Sequence, residues 1–310
     1  MEQISETTAF AGVTRGRTLP RRAILVVNAG SRKGADLFGE ARDRLTTAGI
    51  ELVASKRVKS AKRMAAHIKA AIKSAPMVIL GGGDGTLSKN VDHFLGSDTI
   101  LAVLPLGTAN SFARTLGIPL DLGGAIDMIA NGEARRIDLA SIDGDYFLNN
   151  AALGLAPMVA ESVPKGLKRS LGRLGYLLWA GWSAASFTAF RLIVGDGRRT
   201  HRLWATEARI ANGRFHGGIE LIESANLESG EIVVQAVEGR SVMRLGWSYL
   251  ASALKVPARH DTVREFRGPR MRIDTRPKMR VSIDGELGPE TPFDVRVVPD
   301  AVWVAAPKAG

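Results

Sequence analysis

The feature that most constrains this chain is an alternation that runs up to Ala130. Short apolar, β-branched runs end in turn-forming loops, and each is followed by apolar residues at helical spacing. Residues 23–27 form the first such run, ending at Asn28-Ala29-Gly30-Ser31-Arg32-Lys33-Gly34. Leu37, Phe38, Ala41 and Leu45 then share one helical face, with Gly49 as a stop. Residues 50–54 predict a second strand, and Ser60 caps a helix carrying Met64, Ile68 and Ile72. Residues 77–80 predict a third strand running into Gly81, and residues 100–104 a fourth before Pro105; residues 121–130 predict a further helix. Strands that alternate with helices need crossover connections, hence a parallel sheet covered on both faces.

After about Ile137 the pattern changes. Residues 136–142, 146–149, 191–194, 203–211, 231–237, 271–273, 280–283 and 295–298 read as strands separated by polar, glycine-bearing turns. Two helical stretches, 171–190 and 242–254, interrupt them. This predicts a second domain built on antiparallel sheet. A length of 310 residues agrees with about two domains. The expected division is a flexible polar tail over 1–21, an α/β domain over 22–137 and a β-rich domain over 138–292. Residues 293–306 are expected to pack back on the first domain. A cleft between two such domains is a common ligand site.

Composition removes several kinds of chemistry. The chain has no cysteine, which excludes disulfides, thiolate metal sites and a cysteine nucleophile. Five histidines leave little room for a multi-histidine metal centre. The formal charge of +11 favours polyanions: nucleic acid, acidic headgroups or phosphorylated small molecules. Nucleic acid is not expected, because aromatics are only 6% and do not interleave with the basic runs. The amino terminus carries no apolar run of signal-peptide length, so the expected compartment is the cytoplasm. Residues 174–190 carry no charge, but they fall short of the roughly 20 apolar residues a spanning helix needs. A packed helix is the expectation there, and contact with an acyl chain or a bilayer surface the sharper alternative.

The strongest local signal is Gly81-Gly82-Gly83-Asp84-Gly85-Thr86, between a buried strand and a helical stretch starting near Leu87. Glycines there let backbone approach a ligand closely and take up positive φ. Amides at the helix start then face an anion. Asp84 beside a phosphate makes sense if a divalent cation lies between them. The plain alternative is a tight turn in which Asp84 caps the next helix. A second loop, Pro105-Leu106-Gly107-Thr108-Ala109-Asn110-Ser111-Phe112-Ala113-Arg114, also leaves the carboxyl end of a parallel strand, where ligands collect in such sheets. Asn28, Ser31, Arg32 and Lys33 arrive at the same edge. Amides, hydroxyls, a guanidinium and an acid together suit a nucleotide polyphosphate. No Gly-Lys-Ser/Thr ending marks a Walker A loop, and no correctly spaced glycine triplet follows the first strand.

These loops, in this order, resemble the diacylglycerol kinase catalytic family in its bacterial branch, which shares its nucleotide fold with sphingosine kinases and NAD kinases. The resemblance continues through Phe147-Leu148-Asn149-Asn150 with Gly154, Asn212-Gly213 with Gly217-Gly218, and Asp284-Gly285-Glu286, and covers about residues 23–304. It implies a Rossmann-like three-layer α/β nucleotide domain, a β-sandwich-type second domain and an active site in the cleft between them. It implies ATP as phosphoryl donor, held by Gly82, Gly83, Asp84, Gly85 and Thr86, with Gly107, Thr108, Asn110, Asn28, Ser31 and Arg32 completing the site. Asp84 would act through Mg2+, directly or through water, and Glu286 would be the base that takes a proton from a lipid hydroxyl. Diacylglycerol is the expected acceptor, with a sphingoid base, another alcohol, or a binding role without turnover as alternatives. Asp-Gly is also a favoured hairpin pair, so Asp284-Gly285 reads equally as a turn.

Three positions depart from the family pattern. Ala29 stands where proline is common, Ser111 where aspartate is common, and Ser229-Gly230 where an Asp-Gly pair is usual. The last leaves a second, structural metal near Glu228 and Ser229 in doubt. Lys165, Lys168, Arg169 and Arg173, and the run Arg264, Arg267, Arg270, Arg272, Arg276, Lys278 and Arg280, form two basic segments. A lipid kinase meets its substrate at a bilayer, so these imply a peripheral seat on the inner, anionic face of the membrane. Relatives are often dimers, which makes a homodimer one expected assembly.

Overall fold

The computed structural model describes residues 17–30, 32–155, 187–241, 243, 247 and 263–308. The first strand, β1 (Arg17–Thr18), pairs with the start of β6 (Glu133–Ile142), and Leu19 beside it is buried. The end of the stretch expected as a flexible tail is therefore fixed, because one apolar side chain carries its neighbours onto a sheet edge. The α/β half follows as β2 (Arg22–Asn28), α1 (Arg32–Thr47), β3 (Glu51–Val58), α2 (Ala61–Ile72), β4 (Met77–Gly82), α3 (Asp84–Ser88), β5 (Ile100–Pro105), α4 (Ser111–Thr115) and α5 (Leu122–Asn131). Its parallel strands lie in the order β3-β2-β4-β5. The apolar runs of β4 and β5 are buried from end to end, as central strands of a covered parallel sheet must be. β3 sits at the edge and is half-exposed, so its polar residues 55–57 extend the strand although no apolar run announces them.

The β-rich half contains β7 (Asp145–Phe147), β8 (Asn150–Gly154), β9 (Phe190–Gly195), β10 (Thr200–Ala211), the short pair β11 (Phe215–His216) and β12 (Ile219–Glu220), β13 (Ile232–Glu238), β14 (Val263–Gly268), β15 (Arg270–Arg276), β16 (Arg280–Ile283) and β17 (Glu286–Glu290). They are antiparallel and run in the order β17-β16-β8-β10-β9-β15 up to β18 (Phe293–Ala306). β18 then joins the halves. Residues 293–296 pair with β15, Val304 pairs in parallel with Leu101 of β5, and β6 lies antiparallel along most of its length. Two long strands thus cross from one half into the other, and a strap of backbone hydrogen bonds fixes how the halves meet.

Of the helix expected over 171–190, residues 187–189 are not helical and Phe190 already begins β9. The rest, with Lys165, Lys168, Arg169 and Arg173, lies outside the described residues, as does most of the helix expected over 242–254. Among the described residues no helix is long and apolar enough to cross a membrane.

The β-rich half buries an ion pair on the face of β10 opposite its main apolar cluster. Glu207 and Arg209 lie two residues apart on one face of β10, and both are buried. Arg209 Nε donates to Glu207 Oε1 at 2.6 Å, and its Nη1 donates to Gln235 Oε1 at 2.8 Å. Removing one member leaves a charge buried without its partner, whereas removing both leaves no unpaired charge. Arg209→Met is therefore expected to cost about 3–5 kcal/mol in urea unfolding, and the double variant Glu207→Leu/Arg209→Met to recover most of that loss.

Candidate functional site

The carboxyl ends of the parallel strands open onto a cavity of about 860 Å³, lined by Asn28, Ser60, Gly83, Thr86, Lys89 and Glu286 among others. The strand order reverses direction around β2, and ligands gather at such a switch point. Asn28 ends β2, while Lys59 and Ser60 end the loop after β3. Ser60 caps α2, so the amino end of a 12-residue helix and the cations Lys59 and Lys62 look into the cavity. From β4 the chain passes straight into α3. That helix starts at Asp84, inside the glycine loop, and not near Leu87 as expected.

The loop glycines are needed for closeness. A Cβ on Gly83 would stand 2.9 Å from the Cα of Gly107, and one on Gly107 would stand 2.5 Å from the Cα of Gly83. The two motif loops therefore touch backbone to backbone. A Cβ on Gly82 would meet the Thr86 side chain at 2.7 Å. Positive φ, expected for this loop, is not used: Gly83 has φ −103°, and Gly81, Gly82 and Gly85 also lie outside the left-handed region. Asn28 Nδ2 donates to Thr86 Oγ1 at 2.8 Å while its Oδ1 accepts from Gly30 N at 2.9 Å, tying the loop after β2 to the glycine loop.

Not every residue implied by the resemblance faces the cavity. Asn28, Gly83, Gly85, Thr86, Gly107 and Glu286 line it; Gly82, Asp84, Thr108 and Asn110 are not in its wall. Asn110 takes φ +48°, and its Oδ1 accepts from Gly107 N at 2.9 Å while its Nδ2 donates to Pro105 O at 3.2 Å. It shapes the second loop from behind. Thr108 is exposed. Asp84 turns its carboxylate to the start of α4, accepting from Ser111 N and Phe112 N at 3.0 Å each. It caps a helix, but one from the other motif. Ser31 lies outside the described residues, as does the side chain of Arg32, whose backbone opens α1.

Across the cavity stands the β16–β17 hairpin. Ile283 pairs with Glu286, and Asp284 and Gly285 between them have φ +46° and +89°, as a two-residue turn of the hairpin type requires. The turn reading holds, and the turn delivers Glu286 to the cavity mouth. There Glu286 forms an ion pair with Lys89, and both side chains are about half exposed. The carboxylate of Asp284 accepts from Leu148 N (3.1 Å), Asn149 N (3.3 Å) and Asn150 N (3.1 Å), and also bonds the side chain of Ser88 in α3. Burial pushes this carboxyl above the ordinary carboxylate range, against the pull of those donors. Sequence reasoning missed Lys59, Ser60, Lys62 and Lys89 as cavity residues. The signal for the first three was available as a basic, serine-capped helix start directly after a strand of the same sheet; Lys89 stands instead at the end of α3.

The loop weighed as a second metal site is closed by protein groups. Glu228 Oε1 accepts from Arg135 Nη1 at 3.1 Å, and Ser229 Oγ donates to Asn226 O at 2.9 Å. Buried Asp138 accepts from Gly230 N at 2.7 Å and Asp300 N at 2.9 Å, its pKa raised by burial. Among the described residues no group of three or more histidine or carboxylate side chains is gathered to hold a metal.

Two protein-family models match the chain. That of the diacylglycerol kinase catalytic domain matches residues 22–142, and that of the YegS C-terminal NAD kinase beta sandwich-like domain matches residues 150–306. A protein of Chromohalobacter salexigens named "Probable lipid kinase YegS-like" is 30% identical over 238 residues, which span 74% of this chain and 76% of that protein. The crystal structure of a diacylglycerol kinase from Bacillus anthracis matches with a TM-score of 0.73 at 19% identity, over 92% of this chain and 97% of that one. At that identity the likeness speaks for the two-domain fold.

Gly107→Ala forces backbone against backbone and is expected to destabilise by about 1–3 kcal/mol in urea unfolding. Gly85→Ala meets nothing within 4 Å and is expected to be neutral or stabilising by up to about 1 kcal/mol. The Asp284 carboxyl titrates higher in the folded than in the unfolded chain. Its contribution is then present below the unfolded pKa and lost as pH rises through the folded one. Urea midpoints at stepped pH should show wild-type stability, relative to Asp284→Asn, falling as pH rises through that window.

Proposed function

The chain belongs to the diacylglycerol kinase catalytic family, and from its site we propose an ATP-dependent lipid kinase that moves the γ-phosphoryl group of ATP to the free hydroxyl of diacylglycerol or a similar lipid. The products are ADP and a phosphatidic-acid-like lipid. The observation that carries this reading is the shared cavity, with the glycine loop on one wall and Glu286 on the other. Phosphates seat between the Gly83–Gly107 contact and the amino end of α2, where backbone amides, the helix dipole and Lys59 and Lys62 favour negative charge. The hydroxyl of Thr86, oriented by Asn28, adds a donor. Glu286 accepts the proton of the attacking lipid hydroxyl as that oxygen bonds to the γ-phosphorus and the β–γ bridging oxygen departs with ADP. Lys89 pairs with Glu286 and lines the same cavity, so exchange of that partner for a phosphate oxygen would release the base.

Magnesium fits on the donor chemistry present. Each Asp84 oxygen accepts one amide and keeps a lone pair, and a nucleotide-bound Mg2+ takes most of its ligands from phosphate and water. Asp84 would hold it through water, and the ion would neutralise charge on the phosphoryl group in transit.

A bilayer seat is part of the same proposal. On the outer face of the sheet, register brings Arg270 opposite Arg296 and Arg276 opposite Arg191, with Arg272 and Arg202 on the same face. Met243 and Trp247 are 82% and 46% exposed, four residues apart. An anionic membrane attracts such arginines by about 1 kcal/mol each near its surface.

Glu286→Gln tests the base. It is expected to lower lipid phosphorylation by at least about 100-fold with nucleotide affinity kept, measured with labelled ATP and diacylglycerol in mixed micelles. Turnover like the wild type would remove Glu286 from that role, and a panel with sphingoid base and soluble alcohols identifies the acceptor. Asp84→Asn is the poorer probe, because it also loses one α4 cap bond, at about 0.5–2 kcal/mol. The triple variant Arg202→Gln/Arg272→Gln/Arg276→Gln should bind anionic vesicles about 100-fold more weakly in sedimentation, with neutral vesicles as the control.

A further inference from the structure

The C-terminal end of α4 opens onto a second cavity of about 460 Å³, which shares no lining residue with the glycine-loop cavity. Arginines approach it from three elements: Arg114 from α4, Arg135 from β6 and Arg214 from the loop after β10. Arg114 Nε donates to Ala109 O at 3.0 Å, and Arg214 Nε donates to Ala225 O at 3.1 Å. These bonds fix the two guanidinium planes through Nε. Among the described residues the terminal nitrogens of both have no carboxylate or other acceptor. Arg135 is different. It pairs with Glu228 at 3.1 Å and with Glu133 at 3.8 Å. Glu228 and Glu220 are the acids of the wall, and Glu228 is taken by Arg135.

The balance of charge is therefore positive, at the loop where the sequence left a metal cation in doubt. Guanidinium forks match the oxygens of phosphate two at a time, and two forks from separate elements suit a tetrahedral anion better than a flat carboxylate. We infer that this cavity binds a phosphate group, either free or as the headgroup of an anionic phospholipid. Its walls come from α4 and β6 on one side and from residues 214–228 on the other, so the bound anion braces the two halves against each other. This site stands apart from the phosphoryl-transfer reading and does not rest on it.

The test uses the full chain. Inorganic phosphate, exchanged for chloride at constant ionic strength, should raise the melting temperature, because a ligand that binds only the folded state stabilises it. Vesicles of phosphatidylglycerol, against phosphatidylcholine, form the second arm. The variants are Arg114→Gln and Arg214→Gln, with Arg214→Lys as a milder change that keeps the charge and Lys89→Gln as a control in the other cavity. Apparent affinity at least about tenfold weaker in both glutamine variants, and unchanged in Lys89→Gln, supports the site. The arm in which that loss appears tells free phosphate from headgroup. A shift that survives both arginine substitutions, or that vanishes only with Lys89→Gln, assigns the anion to the glycine-loop cavity and overturns the inference. Arg214 is exposed at the surface, so its variants should keep the wild-type fold by circular dichroism.

Discussion

The cavity depends on one carboxylate. Asp284 sits on a turn of the β-rich half and accepts three successive amides, those of Leu148, Asn149 and Asn150, while also bonding Ser88, one turn beyond the glycine loop. Four donors converge on two oxygens. The residue is only half-buried, since its turn backbone reaches solvent, yet its carboxyl group is enclosed and its pKa is pushed up. An enclosed carboxylate is tolerated when it is this well bonded and costs several kcal/mol when it is not. That condition fixes the hairpin against the β7–β8 turn, and the Ser88 bond carries the same carboxylate across to the α/β half. If the hairpin slipped, three amides and a charge would lose partners together, and Glu286, two residues along, would leave the cavity mouth.

A similar economy holds the two motif loops. Gly83 and Gly107 pack Cα to Cα, so no side chain can intervene, and Asp84 locks the contact by capping α4. Asn28 and Asn110 act in the same way, each spending its side-chain amide on backbone or on Thr86. Polar residues that look like ligand contacts in the linear chain are in large part the frame that shapes the cavity wall.

Charge is distributed by the same tertiary logic. The basic run from Arg264 to Arg280 is contiguous in the chain and divided in space. Arg264 and Arg267 ride on β14 and Arg280 on β16, whereas Arg270, Arg272 and Arg276 join Arg191, Arg202 and Arg296 on one face. Strand alternation turned all three arginines of β15 outward, and sheet order brought the others beside them. The arginines around the second cavity are further apart in the chain still, and only the crossing of α4, β6 and the loop after β10 gathers them.

Periodicity in the chain marked the parallel strands, their helices and the change to antiparallel sheet, because burial on both faces or on one leaves a pattern that local composition must carry. Motif order marked the two glycine-bearing loops and the Asp-Gly turn. Strands such as β14 and β17, rich in charge or glycine, left no such trace, since their pairing comes from neighbours and not from their own side chains. The same holds for the roles of Asp84, Asp284 and Lys89. The residue types were legible, but whether a carboxylate faces a ligand or a helix end depends on which amides the fold brings within 3 Å of it. The amino-acid sequence by itself determined the two sheets and the loops that end their strands. Only the tertiary structure decided which of those loop residues line the cavity, because hydrogen bonds across the chain select one partner for each polar group from several that local sequence would allow.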